Sequence, residues 1–364
     1  MSGAVLVVGG YGVVGRTVCR RLAARTDRRV VAAGRTRRRA MAFADGVDGV
    51  APGVVDVADE STYNAALDGV DCAVVCVTAP DTVFARACLD RGVDYVDISP
   101  SDAFLRAVEE LDGTASDRGS TAALSVGLAP GMTNLLAAAG AAQLDRVDSV
   151  RLAVLLGTGE QVGADTYDWV LDRLRGSFPV RDAGRQRPVA AFSEPWCVSL
   201  PGHGRRRCYR YDLADQHVLA RTMDIPSVGT WLCYDSRLAT ALSALAARTG
   251  TVDALLGAVD RRRLVETLAS TADRLPVGGD PFVALAAVTG RREGEARTVR
   301  RWIRGHDQGR ATAVVAAAVT ERLLAADHPA GVAHSHQLFE AAPFERALAA
   351  RGYGVGSETV AGGE

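Results

Sequence analysis

The sequence of 364 residues contains no lysine, because all 42 of its basic residues are arginines. Lysine forms Schiff bases, binds phosphates in the G-x-x-x-x-G-K-S/T loop, and serves as a general acid or base. These three uses are therefore excluded. Any proton transfer must come from histidine, tyrosine, cysteine, aspartate, glutamate or bound water.

The sequence also lacks an excess of charge and any long apolar run. Its formal net charge is −1, which does not favour nucleic acid or an anionic membrane as the main partner. The apolar run Ala311–Val319 is too short to cross a bilayer and is followed by Glu321 and Arg322. We expect neither nucleic acid nor a membrane among the partners.

Metal-binding and export signals are missing as well. The seven cysteines include no C-x-x-C pair, and His334 and His336 have no third ligand near them, so we predict no metal. The N-terminus runs directly into a predicted strand, which leaves no room for a signal peptide. Scattered thiols without a leader favour a cytoplasmic location.

What the sequence does contain is a glycine-rich turn between a strand and a helix. The strand is Ala4–Val8, and Gly10, Gly12 and Gly15 form the G-x-G-x-x-G motif. In a dinucleotide site these glycines give a tight turn, close approach of the backbone to the pyrophosphate, and close helix–strand packing. The helix N-terminus directs its N–H groups at the phosphates. A second strand, Val30–Ala33, completes the unit, so we predict a dinucleotide site.

The residues after the second strand indicate which cofactor binds. An NAD site places Asp or Glu about 20 residues past the last glycine. This sequence has Arg35 there, followed by Thr36, Arg37, Arg38 and Arg39, with no carboxylate near. Guanidinium groups suit a 2′-phosphate. We predict NADPH rather than NADH, with Arg35 as the main determinant and Arg38 and Arg39 as solvated residues at a helix start.

Strands and helices continue to alternate up to Val126, which predicts an α/β fold. A helix is predicted over Asp102–Arg118, and the further predicted strands are Gly53–Val57, Asp71–Val77, Val93–Ile98 and Thr121–Val126. Six strands with intervening helices indicate a doubly wound parallel sheet, that is, a Rossmann domain. We place this domain at residues 1–132, completed by 310–353.

The pattern changes after Gly131, where strands follow one another with few helices. After a helix at Asn134–Leu144, the predicted strands are Val147–Leu156, Pro188–Leu200, Arg206–Leu213, Gly229–Tyr234, Phe282–Thr289 and Ala296–Gly305. Strands in series indicate an antiparallel sheet, hence a second, α+β domain at residues 133–309. The helix Thr312–Ala326 is expected to return to the first domain, and residues 354–364 are expected to form a flexible tail.

Several segments together resemble the saccharopine dehydrogenase-like oxidoreductases, over nearly the full length of the chain. They are VLVVGGYGVVG (5–15), ACLDRGVDYVDIS (87–99), LSVGLAPGMTN (124–134) and the C-terminal part beginning GRATAVVAAAV (309–319). The resemblance implies an NAD(P)-binding domain, a mixed-sheet domain that binds substrate and often builds a dimer, and a cleft between the two. It also implies hydride transfer at a C–N bond.

The sequence departs from the family pattern at two places. Asp97–Ser99 continues as Pro100–Ser101, where family members often have Gly-Glu. Within Gly157–Gly163, Val162 stands where many relatives have histidine. The lysine-forming saccharopine dehydrogenases use a lysine and histidine pair, which a chain without lysine cannot supply. We therefore expect a relative specialised for another amine, as in secondary metabolism.

The predicted cofactor contacts lie where ligands bind in doubly wound sheets, beyond the carboxyl ends of the strands. They are Gly10, Tyr11, Gly12, Val13, Val14, Gly15, Arg35, Thr36, Arg37, Asp56, Val77, Thr78, Ala79, Ser99, Pro130, Gly131 and Met132. For the Ala-Pro and Pro-Gly steps, ordinary turn formation is the alternative explanation.

Reduction of an imine also requires an acid that protonates the nitrogen. His217 is the first candidate, since a predicted helix places Arg221 on its face four residues later. Tyr95 and Asp97 share one face of the fifth strand, where Tyr95 could donate a proton and Asp97 could orient an amine. A purely structural role is the alternative for His217. Weaker candidates are Glu160, Asp235 and Trp169.

The segment Gly204–Asp212 is the most polar part of the second domain. As a strand it places Arg206, Cys208 and Arg210 on one face. The opposite face then carries Arg205, Arg207, Tyr209 and Tyr211. One face could bind a substrate carboxylate through a bidentate guanidinium, and the sequence leaves open which face points inward. The substrate candidates are Arg206 and Arg210 on this strand and Arg221 on the predicted helix that carries His217. A solvated basic strand is the alternative.

These observations together predict an NADPH-dependent oxidoreductase that reduces a C=N bond. The substrate would be a small amine, imine or amino acid derivative, and the enzyme a homodimer. Two alternatives stay open at this point. Hydride transfer could go to C=C or C=O, because no identified residue recognises nitrogen specifically, or the chain could bind NADPH without catalysis.

Overall fold

The computed structural model describes residues 3–159, 173, 175–249 and 278–362. The chain divides into two compact units. One unit comprises Met1–Leu135 and Gly309–Arg351, and the other Leu136–Gln308 and Gly352–Glu364. None of the helices in the described ranges is long and apolar enough to span a membrane.

The first unit contains a seven-stranded sheet in which every pair of neighbours is parallel. The strands are β1 (Ala4–Val8), β2 (Arg29–Gly34), β3 (Val50–Val54), β4 (Val70–Val75), β5 (Asp94–Asp97), β6 (Thr121–Leu124) and β15 (Gly331–His334). Their order is β15-β6-β5-β4-β1-β2-β3. All five residues of β1 are buried, as expected for a central parallel strand that is covered on both faces.

The helices of this unit separate its strands along the chain. They are Val13–Ala23, Arg37–Ala44, Tyr63–Leu67, Val83–Leu89, Asp102–Glu109, Asp112–Arg118, Ser335–Leu338 and Ala342–Ala349, with a short 3-10 turn at Glu60–Thr62. Two more helices, Thr133–Ala141 and Gln308–Leu323, cross the unit boundaries in the sequence.

The predicted doubly wound fold is confirmed, with three differences in detail. The strand predicted at Gly53–Val57 lies at Val50–Val54. The predicted helix Asp102–Arg118 is two helices, because the backbone leaves the helical region at Leu111 (φ −87°, ψ 4°). The strand β15 was not predicted. Its four residues, Gly331–His334, give no periodic pattern, and their pairing with β6 is a long-range contact.

The second unit contains a mixed sheet. Its strands are β7 (Arg146–Leu156), β8 (Ser177–Asp182), β9 (Arg185–Ala190), β10 (Trp196–Leu200), β11 (Gly204–Arg210), β12 (Ser227–Tyr234), β13 (Pro281–Arg292), β14 (Glu295–His306) and β16 (Gly354–Ala361). The main order is β10-β11-β12-β7-β13-β14-β16, and β8 pairs with β9 and β12. Only the β7–β12 pair is parallel among these. The helices Ala214–Thr222 and Arg237–Thr249 belong to this unit.

Two predictions for the second half were wrong. The predicted strand Pro188–Leu200 is interrupted, because Phe192 and Glu194 have positive φ values of 52° and 42° that break the extended path. The predicted flexible tail instead forms β16, which pairs with β14 from Gly354 to Ala361. An added Cβ at Gly356 would lie 2.4 Å from the Trp302 ring, so a glycine there lets the indole lie over the strand.

Candidate cofactor site and active-site residues

The glycine-rich turn joins β1 to the first helix through backbone contacts that allow no side chain. An added Cβ at Gly10 would lie 2.7 Å from Cα of Ala32, and one at Gly15 only 2.2 Å from the carbonyl oxygen of Gly9. Gly12 is different, since its Cβ would meet only the Gly9 oxygen, at 3.1 Å. The protein leaves the space beside Gly12 open, which fits the close approach of a pyrophosphate.

The helix that begins after Gly12 presents an uncapped N-terminus at this turn. Gly12 is its N-cap residue, and no side chain accepts from the N–H groups of the first turn. That turn also contains no acidic residue. The unsatisfied N–H groups and the helix dipole therefore suit an anion. The side chain of Val13 is 65% exposed beside them.

The end of β2 carries a group of arginines that lack acidic partners. Arg35, Arg37, Arg38 and Arg39 are exposed, and within the described part of the chain none of them forms an ion pair with a carboxylate. The cofactor residues and their chemistry therefore fit NADP, because its 2′-phosphate would supply the missing negative charge.

A tyrosine lies beside these arginines. The Tyr11 hydroxyl accepts a hydrogen bond from the backbone N–H of Thr36 at 3.0 Å. The Arg39 guanidinium lies over the Tyr11 ring, 5.1 Å from its centroid. Arg16 donates to the Tyr11 carbonyl oxygen at 2.8 Å. The tyrosine is thus fixed between the glycine-rich turn and the end of β2.

The remaining predicted cofactor residues follow the other strands of the same sheet. Asp56 follows β3, Val77–Ala79 follow β4, Ser99 follows β5, and Pro130–Met132 follow β6. Since the carboxyl ends of parallel strands lie at one edge of a sheet, the fold brings these segments to the edge that carries the glycine-rich turn. Val77 and Thr78 are exposed there, whereas Pro130–Met132 are buried.

Tyr95 and Asp97 form a buried pair at the end of β5. The Tyr95 hydroxyl donates to Oδ2 of Asp97 at 2.6 Å, and the Ser99 N–H donates to Oδ1 at 2.6 Å. Burial raises the pKa of Asp97 to about 6, although both hydrogen bonds lower it. Burial and the neighbouring carboxylate raise the pKa of Tyr95 well above its ordinary value. Each residue is only 1% exposed, which argues against the predicted roles of proton donor and amine-orienting group and favours support of the strand end.

A hydrogen-bonded chain that sequence reasoning missed lies at the end of β6. Ser125 Oγ is 2.8 Å from Nδ1 of His334, and Nε2 of His334 is 2.9 Å from Oε1 of Glu109. Ser335 donates to the Ser125 carbonyl oxygen at 2.8 Å. Ser125 and His334 are buried, so the chain fixes the turn that leads to Pro130–Met132. No local pattern signals it, because Ser125 and His334 are 209 positions apart.

In the second unit, His217 lies on the helix Ala214–Thr222, as predicted. Its Nε2 is 2.6 Å from Oδ1 of Asp212, and Arg173 pairs with the other carboxylate oxygen. Burial alone would raise the pKa of Asp212, but the His217 hydrogen bond and the Arg173 charge hold it below its ordinary value. Asp212 therefore fixes the orientation of the imidazole. The predicted partner Arg221 lies one helical turn further on the same helix.

The inward face of β11 is the one that carries Arg206, Cys208 and Arg210, while Arg205 and Arg207 are exposed. Arg210 is 8% exposed. Its guanidinium lies 3.9 Å from the Trp231 ring centroid and donates to Glu194 at 3.1 Å.

The burial of Arg210 and its pairing with Glu194 argue against the predicted substrate role, which stays a prediction. Arg206 donates to the carbonyl oxygens of His203 and Asp235, at 3.1 and 2.9 Å. Arg206 keeps further N–H donors beyond these two, so it stays a substrate candidate.

Asp235 has a structural position in the second unit. Its carboxylate accepts from the N–H and hydroxyl groups of Thr158 at 2.9 and 2.8 Å, and from the Gly279 N–H at 3.3 Å. Burial raises its pKa, but these hydrogen bonds outweigh burial and lower it. The other weak candidates, Glu160 and Trp169, and the departure at Val162 lie outside the described residues.

Comparisons with known proteins agree with this geometry. Residues 5–123 match the family model described as the saccharopine dehydrogenase NADP binding domain. The saccharopine dehydrogenase (L-Glu forming) of Saccharomyces cerevisiae is similar in structure, with a TM-score of 0.72 and 18% identity over 99% of this chain and 100% of that chain. The predicted resemblance and the fold class are thereby confirmed.

Two further solved structures are similar at lower scores. DAP dehydrogenase from C. glutamicum has a TM-score of 0.48 and 15% identity, covering 96% of this chain and 99% of its own. An amine dehydrogenase from Mycobacterium smegmatis has a TM-score of 0.47 and 16% identity, covering 93% and 96%. A search of curated protein sequences found no significant match.

Proposed function

We propose that this chain is a saccharopine dehydrogenase-like, NADP-dependent oxidoreductase and that it reduces a C=N bond in a small amine or amino acid derivative. The observation that carries the proposal is the match of residues 5–123 to the family's NADP-binding domain, together with arginines at the end of β2 that have no acidic partner among the described residues. NADPH, when bound, supplies the hydride for such a reduction.

The first unit has the groups that would bind this cofactor. The open backbone at Gly12 and the uncapped N–H groups of the following helix suit the pyrophosphate. We propose Arg35 and Arg37 as ligands of the 2′-phosphate, since their guanidinium groups have no acidic partner in the described chain. The buried chain from Ser125 to Glu109 keeps the turn after β6 in place.

For the proton, we propose His217 in the second unit. Its Nε2 is hydrogen-bonded to Asp212, which fixes the orientation of the ring and leaves Nδ1 as the atom that would donate the proton. Replacement by glutamine removes the titrating group while retaining a hydrogen-bond donor. We expect His217→Gln to lower kcat by about 100-fold or more with little change in NADPH affinity.

We also propose that the enzyme is a homodimer. The helix Arg237–Thr249 exposes Leu238, Leu242 and Leu245, which are 68%, 55% and 58% accessible and lie along one stripe. An apolar stripe of this kind suits an interface with a second copy. We expect analytical ultracentrifugation to show a dimer and Leu242→Glu to shift the protein towards monomer; a monomeric wild type would overturn the proposal.

The direct test measures NADPH consumption with carbonyl acids and amines, supplied separately and together, and with unsaturated acids alone. Consumption that requires both components supports C=N reduction. Consumption with the carbonyl compound alone indicates C=O reduction, and consumption with unsaturated acids alone indicates C=C reduction. Tight NADPH binding without turnover in any mixture would favour a non-catalytic binding protein.

A further inference from the structure

Tyr11 occupies the position at the end of β2 that a side chain would otherwise take. An added Cβ at Gly34 would lie 2.5 Å from the Tyr11 hydroxyl oxygen and 2.7 Å from the ring carbon that bears it. The hydroxyl also accepts from the Thr36 N–H at 3.0 Å. The phenol is therefore held at the point where the chain turns from β2 into the following helix.

Arg39 differs from the other arginines at this strand end. Its guanidinium lies over the Tyr11 ring at 5.1 Å. Within the described residues, Arg35, Arg37 and Arg38 have neither an acidic partner nor an aromatic ring beneath them. A guanidinium that is already ordered loses less conformational entropy when it binds an anion. From sequence, Arg39 is expected to be a solvated residue at a helix start. In the structure its guanidinium is better preorganised to bind an anion than those of the neighbouring arginines.

The Tyr11 hydroxyl group still has its hydrogen-bond donor available. A phenolic hydroxyl can accept and donate at once, and here the Thr36 N–H takes an acceptor position. No described residue accepts the hydroxyl hydrogen of Tyr11. A phosphate monoester offers several strong acceptor oxygens, whereas the ribose hydroxyl of NAD offers one weaker oxygen.

We infer that Tyr11 and Arg39 act together as the pair that selects the 2′-phosphate of NADP. Arg39 supplies the charge and Tyr11 supplies a hydrogen-bond donor and the ring that orders Arg39. The inference rests on the use of NADP proposed above. The sequence predicts Arg35 as the main determinant of NADP selectivity. The structure instead favours Tyr11 and Arg39, which are distant in sequence and lie together only in the folded chain.

The test isolates the 2′-phosphate by using 2′,5′-ADP and 5′-AMP as probes in calorimetry with the full-length protein. Arg39→Ala is expected to weaken 2′,5′-ADP binding about 10-fold or more and to leave 5′-AMP binding unchanged. Tyr11→Phe, which keeps the ring, is expected to weaken 2′,5′-ADP about 3- to 10-fold. The matched control Arg38→Ala, one residue away on the same helix, should cost less than about 3-fold.

A combined variant tests whether the two residues act together. In a Tyr11→Leu background, which lacks ring and hydroxyl, Arg39→Ala should cost less than it does in the wild type. Equal losses for Arg38→Ala and Arg39→Ala would indicate diffuse electrostatic attraction and overturn the inference. Retained selectivity in Tyr11→Phe would exclude the hydroxyl. Failure of the wild type to prefer 2′,5′-ADP would instead contradict the use of NADP itself.

Discussion

Two groups of arginines, one in each unit, are used in opposite ways. In the second unit Arg187 donates to Glu194 at 2.7 and 2.9 Å and to Asp182 at 2.8 Å. Arg210 shares the same Glu194. In the first unit the arginines after β2 have no acidic partner in the described residues. An arginine that is satisfied within the protein stabilises the fold, whereas the arginines after β2 stay available to a ligand that carries negative charge.

Two carboxylates show the same contrast. Asp212 is paired with His217 and Arg173, and its pKa is lowered despite burial. Among the described residues Asp97 is hydrogen-bonded to the neutral donors Tyr95 and Ser99, and burial raises its pKa to about 6. In the second unit Asp212 is thus paired with cationic partners, whereas in the first unit no described cation pairs with Asp97.

The largest expected effect separates binding from stability in the first unit. The double variant Arg35→Ala/Arg39→Ala should weaken NADPH binding about 100-fold, because two cations near the 2′-phosphate are removed. Its melting temperature should stay within about 2 °C of wild type, since exposed residues without acidic partners contribute little to folding. Fluorescence titration and calorimetric melting measure the two quantities. A large loss of stability would contradict the contrast between the units.

The converse result is expected for an arginine of the second unit. Arg210→Ala should lower the free energy of unfolding by about 2 kcal/mol, because it removes the stack on Trp231 and leaves Glu194 with one cation fewer. NADPH affinity should be unchanged. Chemical denaturation checks the first expectation; the same titration as above checks the second. A loss of NADPH affinity without destabilisation would reverse the assigned roles.

A smaller effect is expected for Asp97 and depends on pH. A carboxyl whose folded pKa is raised stabilises the fold at low pH and loses that contribution as pH rises through about 6. Between pH 5 and pH 8, wild type should therefore lose about 1.4 kcal/mol through this group. The variant Asp97→Asn lacks this titrating group. The difference in unfolding free energy between the variant and wild type should therefore shift by that amount in favour of the variant between pH 5 and pH 8. Parallel pH profiles for the two proteins would show that Asp97 titrates normally.

The smallest expected effect is that of salt. Raising NaCl from 50 to 200 mM should weaken NADPH binding about 3-fold, because exposed charges are screened. The destabilisation caused by Arg210→Ala should change little over the same range, since that pair is largely buried. Equal salt sensitivity of both quantities would remove the distinction between the two kinds of arginine.

How much of the molecule was predictable from sequence depends on how local the signal is. The glycine-rich turn and the position of Arg35 lie within about 30 residues of one another, and β1–β6 alternate with helices, so periodicity and motif spacing identified them. The last strand, β16, was missed because its glycines Gly354 and Gly356 give no strand pattern and its partner β14 lies about 50 residues earlier. These glycines admit Arg304 and Trp302 over the strand.

The parts that could not be predicted depend on contacts between distant residues. The pairing of Ser125 with His334 joins residues 209 positions apart. The position of Arg39 over Tyr11 depends on how the helix Arg37–Ala44 lies relative to the glycine-rich turn. Arg210 resembled a substrate ligand in the sequence because neither Trp231 nor Glu194 could be placed beside it.

Isotopic labelling of the transferred hydride tests directly whether the enzyme reduces a C=N bond. The enzyme is incubated with NADPH deuterated at C4 of the nicotinamide, a carbonyl acid and an amine, and the products are analysed by mass spectrometry. The account predicts one deuterium on the carbon bonded to nitrogen in an amine product. Deuterium in an alcohol or at a former C=C carbon, or NADPH that binds tightly and transfers none, would contradict it.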